Sequence, residues 1–375
     1  MIFLKLKIDN LYMFKGAEFD FTYPKKIRNS TIEGEFLTDF PKINYKKVCI
    51  LMGANASGKT SLGKLMCSIN NYLLGREVDG IPKTIYDKNK NASVEITYIT
   101  QEAKNIHQLT INFNQESLVS EIYKSNKLKK TYNLEKTLSK LDDSSPKFLY
   151  NKENKHNIEN PGFKSVAYSM GYELCKKDAI WNYKYSDFEN SNKLDVQTHN
   201  INILESILKS FDNSISSVNA VTESEKNIDI VKFFNGDEVL IENGKILNPD
   251  RFSRGTIESI EITDFINFIT AGAGGTFFLD EKMAYSHSEI EISILNLIIE
   301  KLKSNSQFFY TTHNYDVLEM NLPSHSYIFM KKDSFVEAIH PEKLGYTKND
   351  RSLLGFVKND VFGTLPNTDK IESLL

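Results

Sequence analysis

Gly53-Ala54-Asn55-Ala56-Ser57-Gly58-Lys59-Thr60 fits G-x-x-x-x-G-K-[ST], a spacing that serves phosphate chemistry. Successive backbone N–H groups of such a turn cradle phosphates, helped by the positive end of the helix that it opens. Lys59 is expected to reach the β- and γ-phosphates of a nucleotide, and the Thr60 hydroxyl to bind Mg2+. The apolar run Val48-Cys49-Ile50-Leu51-Met52 ahead of the turn reads as a buried strand. Ser61-Leu62-Gly63-Lys64-Leu65-Met66 behind it returns its apolar residues at helical spacing. The plain alternative, a turn that carries these residue types by coincidence, accounts for neither flank. The expected nucleotide contacts are Gly53, Ala54, Asn55, Ala56, Ser57, Gly58, Lys59, Thr60 and Ser61.

Two carboxylates close another apolar stretch, Gly275-Thr276-Phe277-Phe278-Leu279-Asp280-Glu281. In a chain with a phosphate loop, Asp280 is expected to hold the Mg2+ shell and Glu281 to orient and polarise the attacking water. Alone, such a pair is an ordinary strand-end surface feature. His313 ends the next apolar run, Gln307-Phe308-Phe309-Tyr310-Thr311-Thr312, which would place an imidazole near a γ-phosphate. A lone histidine is otherwise structural or exposed, and His287, His325 and His340 have no comparable support. Finally, Phe252-Ser253-Arg254-Gly255-Thr256 precedes the Asp280 strand. Ser253 and Gly255 at a helix N-terminus make a second phosphate-binding device.

The elements that must position these groups follow from pattern. Residues 2–8 alternate as a half-buried strand does, and Phe19, Phe21 and Tyr23 suggest a second strand. Residues 29–46 are polar and expected as a loop. Val94 to Ile99 and Leu109 to Phe113 read as antiparallel strands. From 114 to 250 Lys, Asn, Ser and Asp become frequent, with an amphipathic helix near 200–208 and short strands between 228 and 247. Lys127, Lys129 and Lys130 there read as a solvated face before a nucleic-acid site. Trp181 with Tyr183, Tyr185 and Phe188 reads as packed core before a base-stacking platform. Strands alternating with helices argue for an α/β fold with a mainly parallel sheet and ligands at the carboxyl ends of its strands. The expected organisation is a head formed by 1–113 and 251–375, with 114–250 as an inserted lobe.

Composition narrows the function classes. The 375 residues are 40% hydrophobic and 25% charged, ordinary for a globular protein. A net charge of −3 provides no global field toward nucleic acid or an anionic membrane, so any DNA contact needs a local patch. Cys49, Cys67 and Cys175 lack metal-ligand spacing and suit a reducing compartment. The start lacks a signal-peptide core, and no apolar run approaches membrane-spanning length; a cytoplasmic location with no membrane partner is expected.

Phosphate loop, S-x-G-T segment, apolar run with Asp-Glu, then a strand-terminal His is an order that resembles ATP-binding cassette (ABC) ATPases. It looks most like the heads of the SMC and RecF-like branch and the related AAA-family ATPases of bacterial anti-phage systems such as the OLD family, Septu and PARIS. Gly53-x-Asn55-x-Ser57-Gly58-Lys59 is the loop variant favoured there, and Thr311-Thr312-His313-Asn314 resembles its switch-histidine strand. The tail Phe362-Gly363-Thr364-Leu365-Pro366 is similar to the end of several defence ATPases. The likeness covers roughly 1–112 and 251–345. The pattern departs at Arg254, where transporters have Gly, and at Lys282-Met283-Ala284-Tyr285-Ser286-His287, which lacks the usual Pro. Gln101 and Gln115 compete for the Q-loop position.

The resemblance implies a P-loop NTPase with an ABC-type head and an inserted mixed α/β lobe, using ATP and Mg2+. Lys59, Glu281 and His313 would be catalytic, Thr60 and Asp280 metal-holding, and Ser253 and Gly255 would serve the ATP of a second copy. One copy of each motif per chain then demands at least a homodimer. The expected role is the ATPase or sensor of an anti-phage system acting on a separate effector such as a nuclease or toxin. Too few residues follow His313 for a Toprim nuclease domain. A DNA-repair or recombination ATPase that clamps DNA directly is the rival. A transporter nucleotide-binding subunit is a third reading, weakened by the insertion and the loop variant.

Overall fold

The computed structural model describes residues 1–23, 30–100, 104–154, 160–175, 180–185, 200–223, 226–272, 274–347, 352–366 and 369–374. The chain divides into two units. One holds Met1–Trp181, Gly275–Phe277 and Ser304–Leu375; the other holds Asn182–Gly274 and Phe278–Lys303. Residues 114–250 are shared between them.

In the first unit β1 (Ile2–Asp9) turns its even-numbered apolar residues inward and leaves Lys7 exposed, and it pairs with β2 (Ala17–Asp20). The stretch expected as a loop instead contains the small hairpin β3 (Phe36–Leu37) and β4 (Phe40–Asn44). Leu37, Phe40 and Ile43 are buried with Ile2, Leu4, Ile99 and Leu141. Tertiary burial, which a local pattern does not register, makes this pair. Next, β5 (Val48–Met52) is buried at every residue, and α1 (Lys59–Leu73) buries Leu62, Leu65, Met66, Ile69 and Leu73 at helical spacing.

The antiparallel strands β6 (Ala92–Thr100), β7 (Asn105–Phe113) and β8 (Leu118–Lys127) form a meander. The Asn133 side chain caps α2 (Leu134–Asp142), and β9 (Phe148–Asn151) and α3 (Val166–Ser169) follow. The first sheet therefore has the order β2-β1-β6-β7-β8-β9. Two of its strands, β8 and β9, come from the stretch expected as the inserted lobe.

From β10 (Trp181–Lys184) the chain enters the second unit. There α4 (Ile201–Phe211) starts at the cap Asn200, whose side chain accepts from the N–H groups of Asn202 and Ile203. The strands β11 (Ile215–Glu223), β12 (Lys226–Phe233), β13 (Glu238–Glu242) and β14 (Lys245–Ile246) form an antiparallel sheet. Leu204, Leu208, Val218, Val231, Phe233 and Ile241 pack with Phe252, Ile257 and Ile260, the last two on α5 (Arg254–Ala271). Next, β15 (Thr276–Asp280) begins in the first unit and ends in the second, where α6 (Ser288–Lys301) follows. Tyr183 stacks on Phe278 at 5.6 Å and 13°, while Trp181, Tyr183 and Tyr185 are each half-buried, short of the core expected of them; Phe188 lies outside the described residues.

The chain returns to the first unit with β16 (Gln307–Thr312), β17 (Tyr327–Lys332), β18 (Val336–Ile339), α7 (Leu354–Lys358) and α8 (Asp369–Glu372). The second sheet has the order β10-β15-β16-β5-β17-β18. Its centre is parallel: β5 pairs with β16 on one side and β17 on the other, while β18 runs antiparallel to β17. The buried Gln307 side chain fastens this sheet to β1. It accepts from the N–H of Phe3 and donates to the carbonyls of Phe3 and Lys46, all within 3.1 Å.

Candidate nucleotide-binding site

The phosphate loop stands where β5 ends, between two parallel neighbours. Met52 lies opposite Thr312 on one side and Phe329 on the other, so Gly53, His313 and Met330 are the next residues along three adjacent chain segments, the first two just past the ends of β5 and β16 and Met330 still within β17. The Met330 carbonyl and the Ser57 side chain occupy the space that a Cβ on Gly53 would need. Gly53 is thus a close-approach glycine. Gly58 has the other reason: its φ is +93°, and an added Cβ would lie 3.2 Å from Val336 and 3.3 Å from Phe14. Ala56 (φ +60°) also takes the left-handed conformation, so the loop curls its N–H groups into a concavity.

Gly58 caps α1 with no side-chain hydrogen bond, and the first turn of the helix carries no acidic residue. The N–H groups of the first helical turn and the helix dipole there favour an anion. The buried Ser57 hydroxyl, 2% exposed, has no protein hydrogen-bond partner. Lys59 is 3% exposed and donates to the carbonyls of Gly53 (2.8 Å) and Ala54 (3.2 Å), which folds its ammonium across the turn. Asn55 and Ala56 are exposed at the rim; Ala54, Thr60 and Ser61 are half-buried. These residues fit the triphosphate of a nucleotide.

His313 is exposed, one residue beyond β16. The Thr312 hydroxyl accepts from the Asn314 N–H, and the Asn314 side chain accepts from the Asp316 N–H, so the segment around the histidine is fixed locally. The tail supports the same region: Phe362 stacks on Phe329 at 4.4 Å, and the Tyr315 hydroxyl donates to the Thr364 carbonyl. Gln115 lies in the β7–β8 turn, donating to the Lys88 carbonyl; Gln101 lies outside the described residues.

The second unit holds the other candidates. Asp280 is fully buried at the end of β15, and Glu281 is half-buried with φ +48°. Ser253 is exposed and caps α5, its hydroxyl oxygen accepting from the Thr256 N–H at 3.1 Å. That hydroxyl already holds its own helix, a duty the sequence pattern did not reveal. Gly255 is buried, and an added Cβ would meet the Tyr285 carbonyl at 3.0 Å. Around it lie charges that motif reading missed. Lys282 forms a 2.6 Å ion pair with Glu261, and Arg254 lies 3.6 Å from Glu258 and 3.8 Å above the Tyr285 ring. The i,i+4 spacing of Arg254 and Glu258 was the available signal. Burial pushes the Glu258 carboxyl up to about 7 against the nearby positive charges of Lys282 and Arg254.

The structure therefore brings together residues 53–61 and His313 in the first unit. In the second it brings Ser253 and Gly255 beside the segment that follows Glu281.

No protein-family model and no curated protein matches the sequence. Solved structures do resemble the fold. The Smc head bound to the C-winged helix domain of ScpA shares 14% identity and a TM-score of 0.50, covering 92% of this chain and 100% of that one. An Smc head with an extended coiled coil, bound to the C-terminal domain of ScpA from Pyrococcus furiosus, shares 12% identity and a TM-score of 0.50, covering 95% and 99%. The recombination mediator RecF with ATP shares 11% identity over 90% of this chain and 97% of its own, with a TM-score of 0.42. The two Smc heads show the fold: an α/β P-loop, ABC-type ATPase head with an inserted mixed α/β lobe.

Proposed function

We propose that this chain is an ATP-binding and ATP-hydrolysing switch that assembles with a second copy through shared ATP sites. The observation that carries the reading is the cradle at 53–60: a glycine without room for a side chain, an uncapped helix start and a buried Ser57 hydroxyl with no protein partner. Bound Mg2+ and ATP would supply the divalent charge and the electrophilic γ-phosphoryl group. Gly53, Ala54, Asn55, Ala56, Ser57, Gly58 and Ser61 hold phosphate through backbone and hydroxyl groups, and Lys59 exchanges its carbonyl partners for phosphate oxygens. Thr60 and Asp280 would hold the metal. Glu281 orients the water and draws off its proton, while His313 donates toward the γ-phosphate.

Ser253 and Gly255 serve the ATP of the second copy in this reading. Support comes from the exposure of Ser253 at the start of an 18-residue helix and from the single copy of each motif. ATP then joins two heads and hydrolysis releases them.

The likeness of the motif order to anti-phage ATPases supports a sensor that controls a separate nuclease or toxin chain. Cys49, Cys67 and Cys175 are not joined in a disulfide, which suits a reducing cytoplasm. Among the described residues, no helix is long and apolar enough to cross a membrane. A second reading, direct clamping of DNA, is favoured by the exposed Lys127, Lys129 and Lys130 at the end of β8. The test measures ATP turnover, ATP-dependent association, and co-purification with the product of the neighbouring gene. Turnover with a bound effector supports the sensor. Turnover with DNA binding that weakens steeply with salt selects the clamp. No ATP binding by the intact chain overturns both.

A further inference from the structure

Two buried carboxylates on α5 hold the segment that follows Glu281. Glu261 (4% exposed) pairs with Lys282 (1% exposed) at 2.6 Å. One turn earlier Glu258 lies 3.6 Å from Arg254, and one of its oxygens, Oε2, is buried without a hydrogen-bond partner. Arg254 in turn covers the Tyr285 ring, and Gly255 abuts the Tyr285 carbonyl. Two links therefore run from the first turns of α5 to the segment 282–285, one at each end.

What they hold is strained. Glu281 has φ +48°, a left-handed conformation that is strained for a non-glycine residue and persists only where its surroundings over-determine it. Lys282 is the adjoining residue, and its ammonium is anchored in the interior. A buried ion pair is weak evidence for stability, because desolvation consumes much of the Coulomb gain. Its use is then in fixing one geometry. The groups facing it are Arg254, Glu258 and Glu261 from α5 and Lys282 and Tyr285 from the following segment.

We propose that Glu261 and Glu258 are positioning residues: they tie Glu281 to the start of α5, so that the water-polarising carboxylate is set when Ser253 is seated. The inference rests on the ATPase reading above and deepens it. Ser253 serves the partner's nucleotide and Glu281 the chain's own. The tie therefore makes hydrolysis at one ATP depend on engagement at the other, and assembly and turnover are coupled through a few side chains of one protomer.

The test separates binding, association and turnover in Glu261→Gln, Lys282→Met and Glu258→Gln. ATP affinity and ATP-dependent association are expected to stay within about 2-fold of wild type, while turnover per bound ATP falls roughly 10–100-fold. The exchanged pair Glu261→Lys with Lys282→Glu should recover most of that loss. A merely structural role would lower the folded fraction and leave turnover per bound ATP unchanged, and that result overturns the proposal. Hydrogen exchange of residues 282–287 without nucleotide gives a readout besides activity. Exchange should quicken in Glu261→Gln, and unchanged exchange overturns the positioning role. Failure of the wild-type chain to bind ATP is a different failure, that of the reading beneath.

Discussion

The main-chain oxygen of Met330 fills the place that a Cβ on Gly53 would take. The first glycine of the phosphate loop is thus required by a neighbouring strand, since its own φ is not in the left-handed region. Gly53→Ala should push β5 and β17 apart at the loop and cost about 1–3 kcal/mol, as overpacking does. ATP affinity should fall with it. Urea unfolding and nucleotide titration check both, and a variant that matches wild type in each would refute the close-approach account.

Lys59 and Glu281 should separate binding from chemistry. Lys59→Ala removes a charged donor and should weaken ATP binding roughly 10–100-fold. Glu281→Gln keeps shape and hydrogen bonding but no longer takes a proton, so ATP stays bound while turnover drops about 100–10,000-fold. Phosphate release and nucleotide binding are measured on both. Unchanged turnover in Glu281→Gln would remove that residue from its role.

Ser253 requires a variant that spares the helix. Ser253→Ala would lose the cap and about 0.5–2 kcal/mol, which confuses the outcome. Ser253→Asp keeps a capping oxygen and sets a carboxylate against the partner's phosphates. This variant should bind ATP yet neither associate nor hydrolyse. Mixed one-to-one with Lys59→Ala chains, it should regain roughly one quarter of wild-type turnover, because mixed pairs contain one intact composite site. Normal hydrolysis by Ser253→Asp as a monomer would show that sites are not shared.

A buried histidine gives the first unit an acid sensitivity. His107 is 1% exposed, stacked on Tyr98 at 4.8 Å and bonded through its two ring nitrogens to the Thr100 and Tyr123 hydroxyls. Burial pushes its pKa down to about 3. The folded imidazole stays neutral, whereas the unfolded one gains a proton below about pH 6.5. Its contribution is therefore fully present above pH 6.5 and is lost as pH falls toward 3. By pH 5 this amounts to roughly 2 kcal/mol. Urea midpoints between pH 7.5 and 5 should fall more steeply for wild type than for His107→Gln. Parallel slopes would rule the histidine out.

Strands that are buried on both faces were legible because nothing polar interrupts them. Val48 to Met52, Gly275 to Asp280 and Gln307 to Thr312 announce themselves by composition. The helix α4 was legible because Asn200 caps it and Leu204, Ile207 and Leu208 share a face. The hairpin β3–β4 was hidden, since its burial depends on residues such as Leu141 a hundred positions away. The loop residues were readable as types, but their walls, Met330, Phe14 and Val336, come from distant sequence. The motif marked Ser253 as a candidate ligand contact and concealed its bond to Thr256. The Glu261–Lys282 pair carries no local spacing at all.

The central strand of the phosphate loop has a consequence for synthesis. β5 is bonded to Phe308 to Thr312 on one side and to Tyr327 to Phe329 on the other. The β1 backbone likewise waits for Gln307. A ribosome adding about 5–20 residues per second needs roughly 15–60 s after making the loop to supply these neighbours. Until then the nascent loop has no rigid cradle, and five consecutive apolar residues stand uncovered. The walls of the loop are complete only once residue 329 has been made, and in that interval the Val48-Cys49-Ile50-Leu51-Met52 run lacks the neighbours that bury it in the folded sheet.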